Sequence, residues 1–172
     1  YMANSEGTIR GYSNSYLYAG GLVGGNYGKV TDCSADTPYI RVTTNYANAR
    51  VSGFVGTNVG NIVNSYALGH VEIVSPRGGS IIVSGFAGKN TGRISYCYCA
   101  ADLVISGEMS KGYPFAPVGG IIYKSNYLVD GTYSYANHLY SYTITGGGAT
   151  ALTYDELEGA ATSVATPPRS YD

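Results

Sequence analysis

The chain is 172 residues long, one domain-sized unit with enough length to bury a core. Only 12% of its residues are charged and the net charge is -1, which excludes a broad electrostatic footprint for nucleic acid or an anionic membrane. No apolar run reaches the ~20 residues of a spanning helix, so no membrane insertion is expected.

Glycine (25) and tyrosine (19) are abundant and tryptophan is absent. Good helix formers are scarce, and β-branched and aromatic residues are common, which is the balance of an all-β extracellular protein. No secretory signal is visible and the chain opens on Tyr1, which reads as a mature form or an excised piece.

In chain order, Asn4-Ser5-Glu6-Gly7-Thr8-Ile9 is a first, imperfect copy of a pattern that then recurs three times. The good copies are Gly21-Leu22-Val23-Gly24-Gly25-Asn26-Tyr27-Gly28-Lys29-Val30, Gly53-Phe54-Val55-Gly56-Thr57-Asn58-Val59-Gly60-Asn61-Ile62 and Gly85-Phe86-Ala87-Gly88-Lys89-Asn90-Thr91-Gly92-Arg93-Ile94. Equivalent glycines, such as Gly28, Gly60 and Gly92, are 32 residues apart. A fixed period of this size marks a solenoid, whose repeats bury their apolar faces only by stacking. Asn-x-Gly is turn chemistry, so each copy makes a corner, and stacked asparagines there can pair in an amide ladder.

Three short strands are predicted per coil. The first is the Gly-apolar-apolar-Gly segment. The second covers Val30–Ala35, Ile62–Ala67 and Ile94–Cys99, and the third covers Tyr39–Thr44, His70–Val74 and Leu103–Ser106. Pro38, Pro76-Arg77-Gly78-Gly79 and Lys111-Gly112-Tyr113-Pro114 are loop signals. Successive coils would lie ~4.8 Å apart and align columns such as Val30-Ile62-Ile94, Leu22-Phe54-Phe86 and Cys33-Ser65-Cys97. Because Val30 and Cys33 are oddly spaced, a bend must lie between them if both face inward.

Gly120-Ile121-Ile122 and Ser134-Tyr135-Ala136 echo Gly53-Phe54-Val55 and Ser65-Tyr66-Ala67 as a degraded terminal copy. The expected fold is an all-β β-helix (β-solenoid) of about five coils over residues 1–148, best copied at 20–51, 52–83 and 84–118. Residues 149–172 form a separate end. Thr153-Tyr154-Asp155-Glu156-Leu157-Glu158-Gly159 has the capping signals of a short helix, and Pro167-Pro168 begins a tail or linker.

The frame resembles the GLUG motif, named for its Gly-Leu-any-Gly core, over about residues 20–107. Asn26, Asn58 and Asn90, the following glycines and Cys33-Ser34-Ala35, Ser65-Tyr66-Ala67 and Cys97-Tyr98-Cys99 all fit it. The resemblance implies a piece of a secreted or surface-anchored bacterial protein, adhesin-like or a non-catalytic part of an IgA-specific metallopeptidase. Its partners would then be the flanking domains of that larger protein and a host protein or glycan ligand. It transfers no catalytic residues. The His-Glu-x-x-His frame of such peptidases is absent, since His70 and His138 stand alone.

Nothing in the sequence assembles an enzyme or a cofactor site. The eleven acidic residues do not recur in step, so the carboxylate clusters of a β-helix lyase or glycosidase are missing. Gly20-Gly21-Leu22-Val23-Gly24-Gly25 and Gly146-Gly147-Gly148 lack the phosphate-loop frame. Cys33 and Cys97 fall ~9.6 Å apart, beyond disulfide reach, so free buried thiols are expected and no metal. Lys29, Lys89 and Arg93 share an edge that Asn61 interrupts.

Tyrosine is what the repeat leaves over. Tyr12, Tyr16 and Tyr18 cluster early, and Tyr113, Tyr123, Tyr127, Tyr133, Tyr135, Tyr140 and Tyr142 crowd the last coils. The latter seven are the candidate contact surface, because Tyr beside Ser, Gly and Asn offers contact area at low entropic cost. The same ends could serve self-association into a filament.

Overall fold

A computed structural model describes residues 4–13, 16–44, 48–75, 81–107, 110–113, 116, 120–123, 125–128, 133–136 and 149–152. The strands follow one another in coils. β1 (Asn4–Ser13) comes first. The next coil holds β2 (Leu17–Gly20), β3 (Val23–Asn26), β4 (Lys29–Thr31) and β5 (Ser34–Thr44). β6 (Ala49–Ser52), β7 (Val55–Asn58), β8 (Asn61–Val63) and β9 (Tyr66–Ser75) repeat that order. Then come β10 (Ile81–Ser84), β11 (Arg93–Ser95) and β12 (Tyr98–Gly107). β13 (Ser110–Tyr113), β14 (Ile121–Tyr123), β15 (Asn126–Leu128), β16 (Tyr133–Ala136) and β17 (Thr150–Leu152) complete the series.

Every strand pairing is parallel, and each strand pairs with its equivalent one coil away. The long sheet runs β1-β5-β9-β12-β15-β17, with β16 also on β12. A second sheet runs β2-β6-β10-β13 and a third β4-β8-β11-β14. β3 pairs with β7 at the corner, and single bridges carry that stack on to Ala87 and Asn90. Among the described residues the chain is all-β without a helix, an arrangement compatible with a β-helix. The helix expected at 153–159 lies outside the described residues.

The 32-residue period is the register itself: Leu17 pairs with Ala49, and Ala49 with Ile81. The core fills along two lobes. Phe54, Phe86, Ile62, Ile94, Cys97 and Cys99 lie at the corner, with the two phenyl rings stacked at 4.6 Å. Ile40, Val42, Val71, Ile73 and Leu103 of the long sheet face Ala49, Val51, Ile81 and Val83 of the second sheet. Within the two clusters the Phe, Ile, Val and Leu side chains are 0–1% exposed.

The sequence predicts three strands per coil; the structure has four segments. The unforeseen one is Leu17–Gly20 with its equivalents Ala49–Ser52 and Ile81–Ser84, too short to show a period before the glycine frame begins. The expected Val30–Ala35 strand is in fact divided. Asp32, Asn64 and Tyr96 take left-handed φ values of 54°, 49° and 54°, which is the bend that the odd spacing of Val30 and Cys33 demanded.

Pro38 is not a loop. It lies inside β5, where Pro38 and Tyr39 oppose the single residue His70 in a bulge between Thr37 and Ile40. Proline is tolerated there because a bulge leaves a ladder position unpaired. The turn into the next coil is one residue shorter than its successor, since Thr43 pairs with Val74 but Ala49 with Ile81. The period is thus kept by compensation.

Lys111-Gly112-Tyr113 is likewise strand, in β13 over Ile82-Val83-Ser84. The terminal echoes are also re-registered. Ile121 and Ile122 stack on Arg93 and Ile94, 28 residues back, and Tyr135 stacks on Ile105 rather than on the position of Tyr66.

Two polar devices lock coil to coil at the corner. Asn26 Nδ2 donates to Asn58 Oδ1 and Asn58 Nδ2 to Asn90 Oδ1, each at 2.8 Å and buried. A Cβ on Gly60 would lie 2.0 Å from the Gly28 carbonyl oxygen, and one on Gly92 at the same distance from that of Gly60, so only glycine fits. Asn58→Ala strands a donor on one side and an acceptor on the other. It should cost about 3 kcal/mol in denaturant unfolding, against ~2 kcal/mol for Asn26→Ala, which strands the Asn58 acceptor and the Gly28 N–H at a corner where Gly28 is exposed.

Candidate interaction surface

Register places five of the seven candidate tyrosines, and it spreads them over three sheets. Tyr113 ends β13 above Ser84, and Tyr123 ends β14 above Ser95. Tyr127 stands above Cys99, Tyr133 above Leu103 and Tyr135 above Ile105 on the long sheet. Ser84, Ser95, Cys99 and Leu103 are all buried, so the backbone positions of Tyr113, Tyr123, Tyr127 and Tyr133 continue columns that are interior one coil earlier. Tyr140 and Tyr142 lie outside the described residues. Among the tyrosines whose side chains are described, Tyr16 (69%), Tyr18 (48%) and Tyr27 (78%), at the first coil, are exposed.

A group of interacting polar side chains sits on the long sheet, on Tyr39, Arg41, His70 and Glu72. The bulge at Pro38 and Tyr39 sets the Tyr39 ring on the His70 imidazole, with centroids 5.1 Å apart and planes 17° from parallel. The Tyr39 hydroxyl donates to Glu72 Oε2, the same oxygen that Arg41 Nε approaches at 3.6 Å. Asp102 follows His70 on the next coil, and Val104 follows Glu72. The Glu72 side chain is 16% exposed and that of Arg41 50%, so the carboxylate is held while the guanidinium reaches solvent. An ion pair this exposed contributes little to stability. It holds the guanidinium by the carboxylate that the Tyr39 phenol also engages, beside the stacked His70 imidazole and with Asp102 in register one coil on.

Sequence reasoning missed this patch for a definite reason. The strict period sends Tyr39 to Val71, a buried position. Only the one-residue bulge moves it onto His70, and Pro38 was the sole hint.

Two further columns stack as the period predicts. The edge column is Lys29-Asn61-Arg93-Ile121, with Asn61 between the two cations. Cys33, Cys97 and Cys99 are buried thiols outside any disulfide. The backbone N–H of Cys33 donates to Ser65 Oγ and that of Cys97 to Ser125 Oγ, so the column is tied together by serine hydroxyls. Burial pushes the Cys97 and Cys99 thiols up to about 12. Among the described residues no group of three His, Cys, Asp or Glu is arranged to hold a metal ion, and no helix is long and apolar enough to cross a membrane.

The model of the GLUG motif matches residues 15–37, the stretch from Ser15 through β2, β3 and β4 into β5. The chain therefore carries a GLUG motif, and two further copies of the same frame stack on it in register. Comparison with curated proteins and with solved structures found no match.

The bond to Glu72, followed by burial, raises the Tyr39 pKa above its ordinary value of 10.0. The phenol is the donor, so the bond exists only while Tyr39 is protonated. Its contribution is complete below pH ~10 and is lost as pH rises through the higher folded value. Glu72→Gln should lower the pH at which Tyr39 ionises, read as the difference between the ultraviolet titrations of wild type and variant. The thiols give a second check: at mildly alkaline pH a disulfide reagent should modify none of the three cysteines until denaturant unfolds the chain.

Proposed function

We propose that this chain is a non-catalytic β-helix module of a secreted or surface-anchored bacterial protein, acting as stalk, spacer or ligand-presenting surface. It would comprise about five coils over residues 1–148 with a short helix and tail at 149–172. What supports this most directly is the use to which the recurring residues are put. The asparagines form the amide ladder. The glycines let coils approach, and the aliphatic and aromatic residues fill columns. Nothing that recurs is spent on substrate, which is how a repeat module differs from a repeated active site. A GLUG motif, itself a repeat unit, is consistent with this.

Ligand contact then falls to groups that do not recur. The patch of Tyr39, Arg41, His70, Glu72 and Asp102 fits a polar ligand such as a glycan or a host protein loop, because it fixes donors and acceptors on a rigid sheet. The exposed Tyr16, Tyr18 and Tyr27 add aromatic area at one end. The reading predicts no turnover of neutral or uronate polysaccharides under any metal or pH condition tested. Release of reducing ends that is abolished by Glu72→Gln would overturn it in favour of a carbohydrate-active enzyme.

A further inference from the structure

The Tyr39 patch lies inside the long sheet, with β1 beside β5 on one side and β12 beside β9 on the other. Its groups do not use one another up. Arg41 meets Glu72 through Nε at 3.6 Å, a loose contact that falls short of the two parallel bonds a guanidinium and a carboxylate can form. Half of the Arg41 side chain is exposed. The Tyr39 hydroxyl and Arg41 Nε both address Oε2 of Glu72, and among the described residues Oε1 takes no hydrogen bond. His70 stacks on Tyr39 by its ring face, and within the same residues neither ring nitrogen has a hydrogen bond.

Two arginines share one rung. Arg10 of β1 is the register partner of Arg41, and Glu72 follows on the next strand. Like charges directly opposite one another destabilise a sheet. One carboxylate against two guanidinium groups leaves that rung with an excess of positive charge. The other strand carboxylates are too distant to cancel it. Asp102 lies two strands from Arg41, ~10 Å away by strand spacing. Asp36, with Glu6 opposite it, pairs with Leu68, four residues before Glu72 and so ~13 Å along the sheet. Both separations exceed the ~8 Å screening length of physiological salt.

An anion on this rung also meets Glu72 Oε1, which is an acceptor. A phosphate or sulfate dianion brings acceptors only and is repelled there. A sugar that carries a carboxylate brings hydroxyl donors on the same ring, so one ligand satisfies both the guanidinium fork and the unused carboxylate oxygen. An acidic side chain of a protein loop reaches the fork too, yet brings no hydroxyl beside its carboxylate.

We infer that the patch binds a carboxylated sugar, a uronate or sialate residue of an acidic glycan, with its carboxylate on Arg41 and Arg10 and a ring hydroxyl donating to Glu72 Oε1. His70 offers a ring nitrogen to a second hydroxyl. Tyr39 is a positioning residue, because its hydroxyl occupies Oε2 and leaves Oε1 to the ligand. This rests on the reading of the patch as a ligand surface and narrows the ligand to one class.

The test is titration calorimetry of the whole chain with oligogalacturonate, sialyllactose, methyl-esterified oligogalacturonate, inorganic sulfate and an aspartate-rich peptide. At least one of the two carboxylated sugars should bind saturably, and less tightly as salt rises. Arg41→Gln should weaken that binding about tenfold or more while leaving the unfolding midpoint nearly unchanged, since its ion pair is exposed. The methyl ester keeps the ring hydroxyls without the charge and should bind wild type comparably poorly. Glu72→Gln should shift the affinity ratio from sugar towards sulfate, because it removes the charged acceptor and the repulsion together. No binding of either sugar, or equal binding by wild type and Arg41→Gln, would overturn the inference and leave the non-catalytic module standing. So would a methyl ester or sulfate that binds as tightly as the sugars. Tighter binding of the peptide would overturn it in favour of a protein loop. Release of reducing ends from oligogalacturonate would instead count against the module reading itself.

Discussion

Coils can stack at strand spacing only where nothing projects between them. At the corner, Gly60, Gly92 and Gly120 each bring the backbone against the carbonyl of the coil before, at distances no Cβ could share. That approach lets the buried asparagines reach one another along the axis, and lets Phe54 and Phe86 stack with planes 7° apart. Neither the amide ladder nor the aromatic column would form in a coil held further off. The glycine column therefore sets the geometry that the polar and apolar columns exploit.

This explains which parts of the molecule could be read from the amino-acid sequence. Residues with one job each recur in step, and the sequence displays them directly. The Asn-Gly corner, the Leu22-Phe54-Phe86 and Val30-Ile62-Ile94 columns and the bend before Cys33 were all legible. Segments without a signature were not: Ala49–Ser52 and Ile81–Ser84 are simply short apolar strands preceding a glycine. The terminal register was misplaced because the coil shortens. Ser125 takes the place under which Cys97 donates, 28 residues on, and no frame residue announces it.

The interaction surface was the least legible part. Tyrosines of the last coils attract notice by their number, and register sets four of them, Tyr113, Tyr123, Tyr127 and Tyr133, on residues that are buried one coil earlier. The Tyr39, His70, Glu72 and Arg41 patch depends on a single extra residue at Pro38 and Tyr39, which a period of fixed length conceals. Irregularity, not recurrence, is where a solenoid places chemistry that its stacking does not need.

The compensation between the β5 bulge and the turn that follows it has a consequence for how such a chain can change. From the glycine frame to the cysteine column the coils agree residue for residue through the three good copies. The links from the long sheet to the second sheet differ: Thr43 and Val74 align, then Ala49 and Ile81, and later Gly107 aligns with Ser75 but Ser110 with Ile81. Length at these links varies while the pairing on either side of them is kept. An inserted loop, or a whole grafted domain, could enter there while every ladder of the coil stayed intact. The stacked sheets are in this sense a rack with fixed shelves and a seam of variable length.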